Sequence, residues 1–208
     1  MKVVFTARRL KPGHYSEFRK AWEPEQFPDG FRGAYLLRDT ADPDQITVLG
    51  LFDVTDERAR ELEQQLEPSE HERHERMAPY VDETVVSGLF DVAHMESGGA
   101  TGKEAAVLLT ERQLKPGSFD AYKEAGQAAT EVGGGMPAGL EVFMLLRDTK
   151  DPDHTIQFGI VRADNMQAFR ATLMPERQKM LDAIEPFIDR IGLDTTYELV
   201  EEVAPVHA

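Results

Sequence analysis

The chain has 208 residues, of which 41% are hydrophobic and 29% are charged, and its formal net charge is −15. This composition is typical of a folded globular protein and excludes disorder of the whole chain, and no apolar run reaches the roughly 20 residues that a membrane-spanning helix needs. Because the chain has no cysteine, disulfides, cysteine-ligated zinc, iron–sulfur clusters and thiol nucleophiles are also excluded.

The acidic net charge of the chain disfavours negatively charged partners. Both halves of the chain share the acidic excess, and neither has a stripe of Lys and Arg that would attract a phosphate backbone. We therefore expect no nucleic-acid partner and no binding to anionic membrane surfaces. The N-terminus turns polar at Arg8 and Arg9, too early for the apolar core of a secretory signal, which predicts a cytoplasmic location.

The first elements of the chain alternate strand and helix signals. Residues 2–10 are rich in β-formers and end at Lys-Pro-Gly, which stops the strand and opens a helix over about 14–23. A second strand is predicted over 33–39 and a third over 45–53. An Asp-Pro-Asp turn joins these two strands.

A second helix and a last strand complete the unit. Thr55 is a natural N-cap for this helix, which is expected to reach about Leu66, break at Pro68 and resume towards Val86. The last strand is predicted over 89–94. The resulting order, β-α-β-β-α-β, is that of a ferredoxin-like domain.

The same order occurs twice because the chain contains an internal repeat. Thr6–Gly13 recurs as Thr110–Gly117, and Leu36–Asp44 recurs as Leu145–Asp153, in the same sequence order and at nearly the same offset. We therefore predict two homologous domains. Repeat one covers 1–95, a Gly-rich linker covers 96–104, and repeat two covers 105–204.

Two strands of these domains are apolar on both faces, those over 46–52 and 142–146. Such strands need cover on both sides of the sheet, whereas the helices of a ferredoxin-like domain cover only one. The simplest solution is an α+β fold in which the two domains pack sheet to sheet as an intramolecular α+β barrel. The chain would then be a monomer that is a pseudo-dimer, or it would pair further into a homodimer.

The repeated motifs carry a family resemblance. A strand ending in Arg-x-Leu-Lys-Pro-Gly, an aromatic helix, and Leu-Leu-Arg-Asp-x-x-Asp-Pro-Asp before a hydrophobic strand resemble the dimeric α+β-barrel superfamily, and most closely its antibiotic-biosynthesis-monooxygenase (ABM) branch. The resemblance covers nearly the whole chain, once per repeat. It implies a small, often cofactor-free oxygenase or a haem-degrading enzyme, with a pocket between helices and sheet.

The resemblance also implies which residues to look for. Such enzymes typically use an Asn on the first strand, a Trp at the end of the third strand and a His on the second helix. Asn165 is the one asparagine of this chain and lies at the start of a predicted helix, while Phe52 and Val161 stand where the Trp would be. His71 or His74 lies where the helix His would be.

Two arginines are further candidates for ligand binding. Arg8 and Arg112 occupy the same position in the first strand of each repeat, on the same face as Thr6 and Thr110. If that face lines the space between the repeats, each Arg can bind a carboxylate or a phenolate. The alternative is that each Arg forms a structural ion pair with an acidic residue.

The remaining candidates are aromatic residues and histidines of repeat one. Trp22 and Phe52 either line an aromatic pocket or belong to the hydrophobic core. His71 and His74 share a helix face and either ligate a metal or haem iron or form part of a solvated charged surface. Repeat two has Gly126 and Val161 at the positions of Trp22 and Phe52, so repeat one is expected to carry the pocket.

Three functions remain open at this point. The first is an oxygenase that acts on a flat aromatic or quinone-type molecule without a metal or other cofactor. The second is a non-catalytic barrel that binds a small hydrophobic or aromatic ligand or has a structural role. The third is a haem-binding or haem-degrading protein that depends on His71 or His74.

Overall fold

The computed structural model describes residues 1–24, 27–100, 102–132 and 139–204, without the side chains of residues 132, 169–170 and 172–177. The described chain forms two compact units. One contains Met1–Asp91 and the C-terminal residues from Leu199 onwards, and the other contains Val92–Glu198.

The elements of repeat one follow the predicted β-α-β-β-α-β order. They are β1 (Lys2–Leu10), α1 (Tyr15–Trp22), β2 (Phe31–Asp39), β3 (Gln45–Phe52), α2 (Asp56–Met77), a 3-10 turn (Ala78–Tyr80) and β4 (Val81–Ser97).

Repeat two has the same order. Its elements are β5 (Glu104–Leu114), α3 (Phe119–Val132), β6 (Leu140–Asp148), β7 (His154–Ala163), α4 (Met166–Ile184), a 3-10 turn (Glu185–Phe187) and β8 (Ile188–Val203).

Hydrogen bonds link the eight strands in the cyclic order β1-β3-β2-β8-β5-β7-β6-β4, so the sheet is a closed barrel. The long strands β4 and β8 each contribute residues to both units. The predicted α+β barrel built from two ferredoxin-like repeats is therefore confirmed.

The predicted break of the second helix at Pro68 is wrong. The helix α2 is continuous from Asp56 to Met77, and Thr55 caps it by accepting a hydrogen bond from the Arg58 N–H at 3.2 Å. A proline removes one helical hydrogen bond, but buried side chains anchor α2 on both sides of it, at Leu62 and Met77. Tertiary packing therefore outweighs the local effect of the proline.

The last strand of repeat one is also longer than predicted. It begins at Val81, immediately after the 3-10 turn that contains Pro79, and not at residue 89. The helix ends in this turn, and the β-branched residues Thr84, Val85 and Val86 that follow favour a strand.

The core of the first unit lies between its sheet and α1. Along β1, Val3, Phe5 and Ala7 are fully buried on one face. On the other face, Leu10 of β1 and Ile46 and Val48 of β3 pack with Phe18 and Trp22 of α1. The large apolar side chains of α1 therefore face the sheet. The corresponding core of the second unit contains Leu114, Phe119, Tyr122, Leu145 and Ile184.

Two glycines with positive φ allow a prediction about local strain. Gly30 (φ +84°) has no room for a side chain, since a Cβ there would lie 2.5 Å from Val54 Cγ1 and 3.1 Å from the Asp53 carbonyl oxygen, whereas Gly13 (φ +79°) has nothing within 4 Å. We expect Gly13→Ala to lower the free energy of unfolding by about 1 kcal/mol, from backbone strain alone. Gly30→Ala should cost about 1–2 kcal/mol more, because Val54 must also move. Urea unfolding measures both, and equal losses would contradict the clash.

Candidate functional site

Arg8 lies on the face of β1 that packs against the helices of its own unit. Its neighbours on that face are Leu10 along β1 and Ile46 directly across on β3, and both pack in the cluster that contains Phe18 of α1. Only 6% of Arg8 is exposed. The register therefore corrects the interpretation that this face lines a space between the repeats.

The Arg8 guanidinium is not completely withdrawn from solvent, since none of its nitrogens is among the fully buried, partnerless atoms of the described residues. Among the residues that the structure describes, none forms a hydrogen bond or an ion pair with its side chain. Burial, together with the positive charge of Arg73, lowers the pKa of Arg8 from 12.5 to about 10, and the negative charge of Glu70 opposes this shift. The depression corresponds to roughly 3 kcal/mol of free energy that opposes folding with the charge in place.

Arg73 and Glu70 come from the inward face of α2. Along this helix Leu62, Leu66, Glu70, Arg73 and Met77 are the residues withdrawn from solvent in its central and last turns, a spacing that puts them on one stripe. The guanidinium of Arg73 forms an ion pair with Glu70, while its Nε is buried and has no hydrogen-bond partner among the described residues. Glu70 is therefore bonded to Arg73 and acts on Arg8 only through its charge.

An open patch of sheet lies on the same face of β1, centred on Val4, four residues along the strand from Arg8. Val4 is paired with Gly50 on β3 and with Leu89 on β4, yet 40% of Val4 is exposed. The Phe52 ring lies 3.2 Å from where a Cβ on Gly50 would be. This patch and the buried Arg8, with Thr6 between them on β1, are called the repeat-one site below.

Repeat two has the same arginine but also has partners for it. Arg112 is 1% exposed, and its Nη1 donates hydrogen bonds to the Tyr122 hydroxyl at 3.0 Å and to Gln157 Oε1 at 2.5 Å. Burial raises the pKa of Tyr122, and the charge of Arg112 opposes this shift. The equivalent positions in repeat one are Phe18 and Val48, which have no polar atom to offer Arg8.

The open patch is also absent from the described part of repeat two. Leu108, the counterpart of Val4, packs against a cluster with Phe143 and Met166. The hydroxyl of Thr110 donates to Asp194 Oδ1 at 3.1 Å, whereas the residue paired with Thr6 is the exposed Ser87. Repeat two is thus closed and supplies acceptors to Nη1 of its arginine, although the Nε of Arg112 stays buried without a partner. Repeat one is open, and its described residues supply no acceptor to Arg8.

The two arginines should respond in opposite ways to the same substitution. We expect Arg8→Met to raise the free energy of unfolding by about 1–3 kcal/mol, because it removes a buried charge without an acceptor. Arg112→Met should lower it by about 2 kcal/mol, because Tyr122 and Gln157 lose their donor while they remain buried. Thermal or urea unfolding of the two variants measures this. A loss for Arg8→Met as large as that for Arg112→Met would mean that Arg8 is satisfied within the protein.

The two aromatic candidates belong to the packed part of repeat one. Trp22 is buried in the cluster between α1 and the sheet, and the guanidinium carbon of Arg19 lies 5.1 Å from the centre of its ring. Phe52 is half-buried and meets Phe31 edge to face, with ring centres 5.5 Å apart. The structure therefore brings Phe52 to the repeat-one site and leaves Trp22 in the core.

The histidine candidates lie on the solvent side of α2. The side chain of His71 is 73% exposed and its Nε2 lies 3.4 Å from a carboxylate oxygen of Glu75. His74 is exposed and its Nδ1 lies 2.9 Å from the Glu70 carbonyl oxygen. In the described ranges no group of three His, Asp or Glu side chains could hold a metal ion.

A cluster in the second unit was not predicted from the sequence. His154 Nε2 lies 2.9 Å from Glu111 Oε1, and its Nδ1 lies 3.0 Å from Asp148 Oδ2. Glu111 also accepts a hydrogen bond from the Leu193 N–H at 3.2 Å, and its carboxylate fills the space where a Cβ on Gly192 would be. Comparing the repeats could have indicated this cluster, because repeat one has Ala7 and Gln45 at the positions of Glu111 and His154.

The contacts in the cluster shift the pKa values of His154 and Glu111 so that both side chains are charged over a wider pH range. The hydrogen bond to Glu111 raises the pKa of His154 above 6.5, with burial opposing and Asp148 adding to the shift. Burial alone would raise the pKa of Glu111, but its hydrogen bonds from His154 and the Leu193 N–H and the His154 charge lower it below 4.5. The ion pair therefore stabilises the fold most between about pH 4.5 and 6.5. Its contribution falls as the pH rises through the folded pKa of His154 or drops through that of Glu111.

This dependence can be measured with His154→Gln. We expect the variant to lose about 2 kcal/mol of unfolding free energy near pH 5.5, because the charged hydrogen bonds are lost, and clearly less at pH 9. Chemical denaturation at both pH values gives the difference. His14→Gln, an exposed histidine 4.0 Å from Glu17, serves as the control. A loss for His154→Gln that does not change with pH would contradict the charged pair.

Comparison with solved structures identifies proteins that share this fold. No protein-family model matches the chain, and no curated protein matches it. Solved structures match over nearly the whole chain. A candidate monooxygenase from Fusobacterium nucleatum is 12% identical, covers 98% of this chain and 94% of its own, and gives a TM-score of 0.72.

Two further solved structures have a similar fold. An anthrone oxidase-like protein is 12% identical, with coverage of 99% and 94% and a TM-score of 0.73. A ferredoxin-fold protein from Listeria monocytogenes, described as related to antibiotic biosynthesis monooxygenases, is 13% identical, with coverage of 97% and 95% and a TM-score of 0.51. At these identities the likeness shows the fold, which is the ABM-like fold that the motifs indicate. Within the described residues no helix is long and apolar enough to cross a membrane.

Proposed function

We propose that this chain, with its tandem ABM-like fold, is a cofactor-free oxygenase that binds a small, flat hydroquinone-type molecule in repeat one. The observation that carries the proposal is the buried guanidinium of Arg8, which no described residue satisfies. An unpaired buried charge costs folding free energy, so it persists where a bound molecule supplies the missing acceptor.

The surroundings of Arg8 suit an aromatic ring that carries an oxygen. Val4, Leu89 and Phe52 offer an apolar surface, and Thr6 and Arg8 offer hydrogen-bond donors at one end of it. Ligand sites commonly combine a mainly apolar wall with a few converging polar groups. The ring would lie on the open sheet, and its oxygen would point towards the guanidinium.

The chemistry needs an electron-rich substrate anion. A desolvated guanidinium favours the anionic form of a substrate that it contacts, because the charge interaction is stronger away from water. Such an anion can give electrons to O2 without a metal. In the simplest monooxygenation of an activated ring CH2 group, one atom of O2 becomes the new carbonyl oxygen, and the other leaves as water with the two hydrogens. Arg8 would hold and orient the anion throughout.

A second candidate is a non-catalytic binding barrel. It is favoured by the absence of a first-strand Asn, since Asn165 is the one asparagine of the chain, and by Phe52 in place of a third-strand Trp. In this case the repeat-one site would bind the same class of molecule and leave it unchanged. Both candidates are compatible with a cytoplasmic protein.

Oxygen consumption separates the two candidates. We expect the protein to accelerate O2 uptake with anthrone or 1,4-dihydroxynaphthalene above the uncatalysed rate. Arg8→Met should lower kcat/KM about 100-fold, the usual effect of losing one buried electrostatic donor. An oxygen electrode, with product identified by mass spectrometry, measures this.

The control variant is Arg32→Gln, which removes an exposed arginine paired with Asp53 at 2.8 Å and should leave the rate unchanged. Binding of these molecules without O2 uptake would establish the non-catalytic candidate. Uptake that is indifferent to Arg8→Met would remove Arg8 from the site.

A further inference from the structure

We infer that the repeat-one site takes an aromatic carboxylate, with the carboxylate bound between Arg8 and Arg73 in place of Glu70. This inference rests on the proposed function for the place of binding and goes further by naming the anionic group of the ligand. It also assigns a specificity role to Glu70 as an internal competitor.

The N–H donors of Arg8 and Arg73 that lack a partner match the two acceptor oxygens of a carboxylate. The Arg8 guanidinium offers several N–H groups and has no acceptor among the described residues, and Arg73 keeps a buried Nε without a partner. A carboxylate has two oxygens that accept in one plane, so it can bridge two guanidinium groups. A phenolate or a quinone oxygen alone would leave one of the two arginines unsatisfied, so the ring that lies on the open sheet carries a carboxylate as well.

The charge balance favours the same group. Arg73 lies one turn before Met77 on the inward stripe of α2. Met77 packs in the same cluster as Leu10 and Ile46, the neighbours of Arg8. Arg8 and Arg73 carry two positive charges at this place, and Glu70, which pairs with Arg73, carries one negative charge. The arginine end of the site therefore has one positive charge in excess, and a monoanionic group bound there neutralises it. A neutral ligand would leave the Arg8 charge uncompensated away from water, which is costly.

Glu70 would compete with a ligand carboxylate for the N–H groups of Arg73. It pairs with Arg73 and not with Arg8, and its side chain is exposed enough to turn to solvent, with 40% of its surface accessible. A ligand carboxylate that takes over the Arg73 N–H groups would release Glu70 to water. The negative charge of Glu70 therefore weakens the binding of any anion at this site.

Repeat two is not expected to bind the same ligand. Arg112 already donates to Tyr122 and Gln157, and Asp194 places a carboxylate beside Thr110. An incoming anion would have to displace buried hydrogen bonds there and would be repelled by Asp194. The expected stoichiometry is one ligand per chain.

Calorimetric titration with 2-naphthoate and its neutral analogue 2-naphthamide tests the inference. We expect one 2-naphthoate per chain, bound at least tenfold more tightly than the amide. Arg8→Met should abolish this preference, and Arg73→Gln should weaken it. Glu70→Gln should tighten 2-naphthoate binding about three- to tenfold and leave the amide unchanged, because it removes a negative charge without enlarging the pocket.

The opposite effects of Arg73→Gln and Glu70→Gln are the decisive readout, since a structural role of this ion pair would make both variants weaker. Arg32→Gln is the surface control and should bind like the wild type. Equal affinity for the two probes, a preference that survives Arg8→Met, or no 2-naphthoate binding at millimolar concentration would overturn the inference.

The outcome is separable from that of the oxygenase proposal. If 2-naphthoate binds as expected but no hydroquinone is oxidised, the inference stands and the oxygenase proposal fails. If uncharged hydroquinones are oxidised in an Arg8-dependent way while 2-naphthoate binds no better than the amide, the oxygenase proposal stands and the inference fails.

Discussion

The guanidinium group on the helix side of each first strand is the feature on which the differences between the two repeats depend. A charge held in that position is withdrawn from water by the sheet below it and the helices above it, so it needs acceptors from another source. Repeat two provides them from its own strand and helix, as Gln157 and Tyr122. Repeat one has Val48 and Phe18 there, and its arginine is left with a second arginine and a carboxylate that is already paired.

The repeats agree in their turns and disagree in their interiors. Asp39 and Asp148 each accept hydrogen bonds from the backbone N–H groups two and three residues later, both at 2.7 Å for the shorter bond. These turns set the spacing of the strands and so preserve the fold. The side chains between the sheet and the helices do not set the strand spacing, so they can differ between the repeats. They form a closed, hydrogen-bonded interior in repeat two and an open site in repeat one.

The sequence was sufficient to predict the repeat, the strand order of each half and the barrel, because turns and alternation are local signals. It was not sufficient to predict the face that Arg8 occupies, since that depends on which side of β1 receives the helices. The sequence repeat aligns Val48 and Phe18 with Gln157 and Tyr122, but only the structure shows that the latter two bond to the buried arginine. The continuity of α2 through Pro68 depends on the packing of Leu62 and Met77, which no local pattern reports. The pair of Glu111 and His154 joins residues far apart in the chain and was missed for the same reason.

Covalent duplication has an evolutionary consequence for such a site. In a homodimer encoded by a single gene, every substitution appears in both subunits, so opening one interior opens the other and the destabilisation is incurred twice. Fusion of two copies breaks that symmetry: Phe18 and Val48 could replace polar residues, or Tyr122 and Gln157 could replace apolar ones, in one half only. Substitutions that favour a new ligand can then accumulate in one half at the expense of its own stability, while the other keeps the hydrogen bonds of its buried arginine to Tyr122 and Gln157.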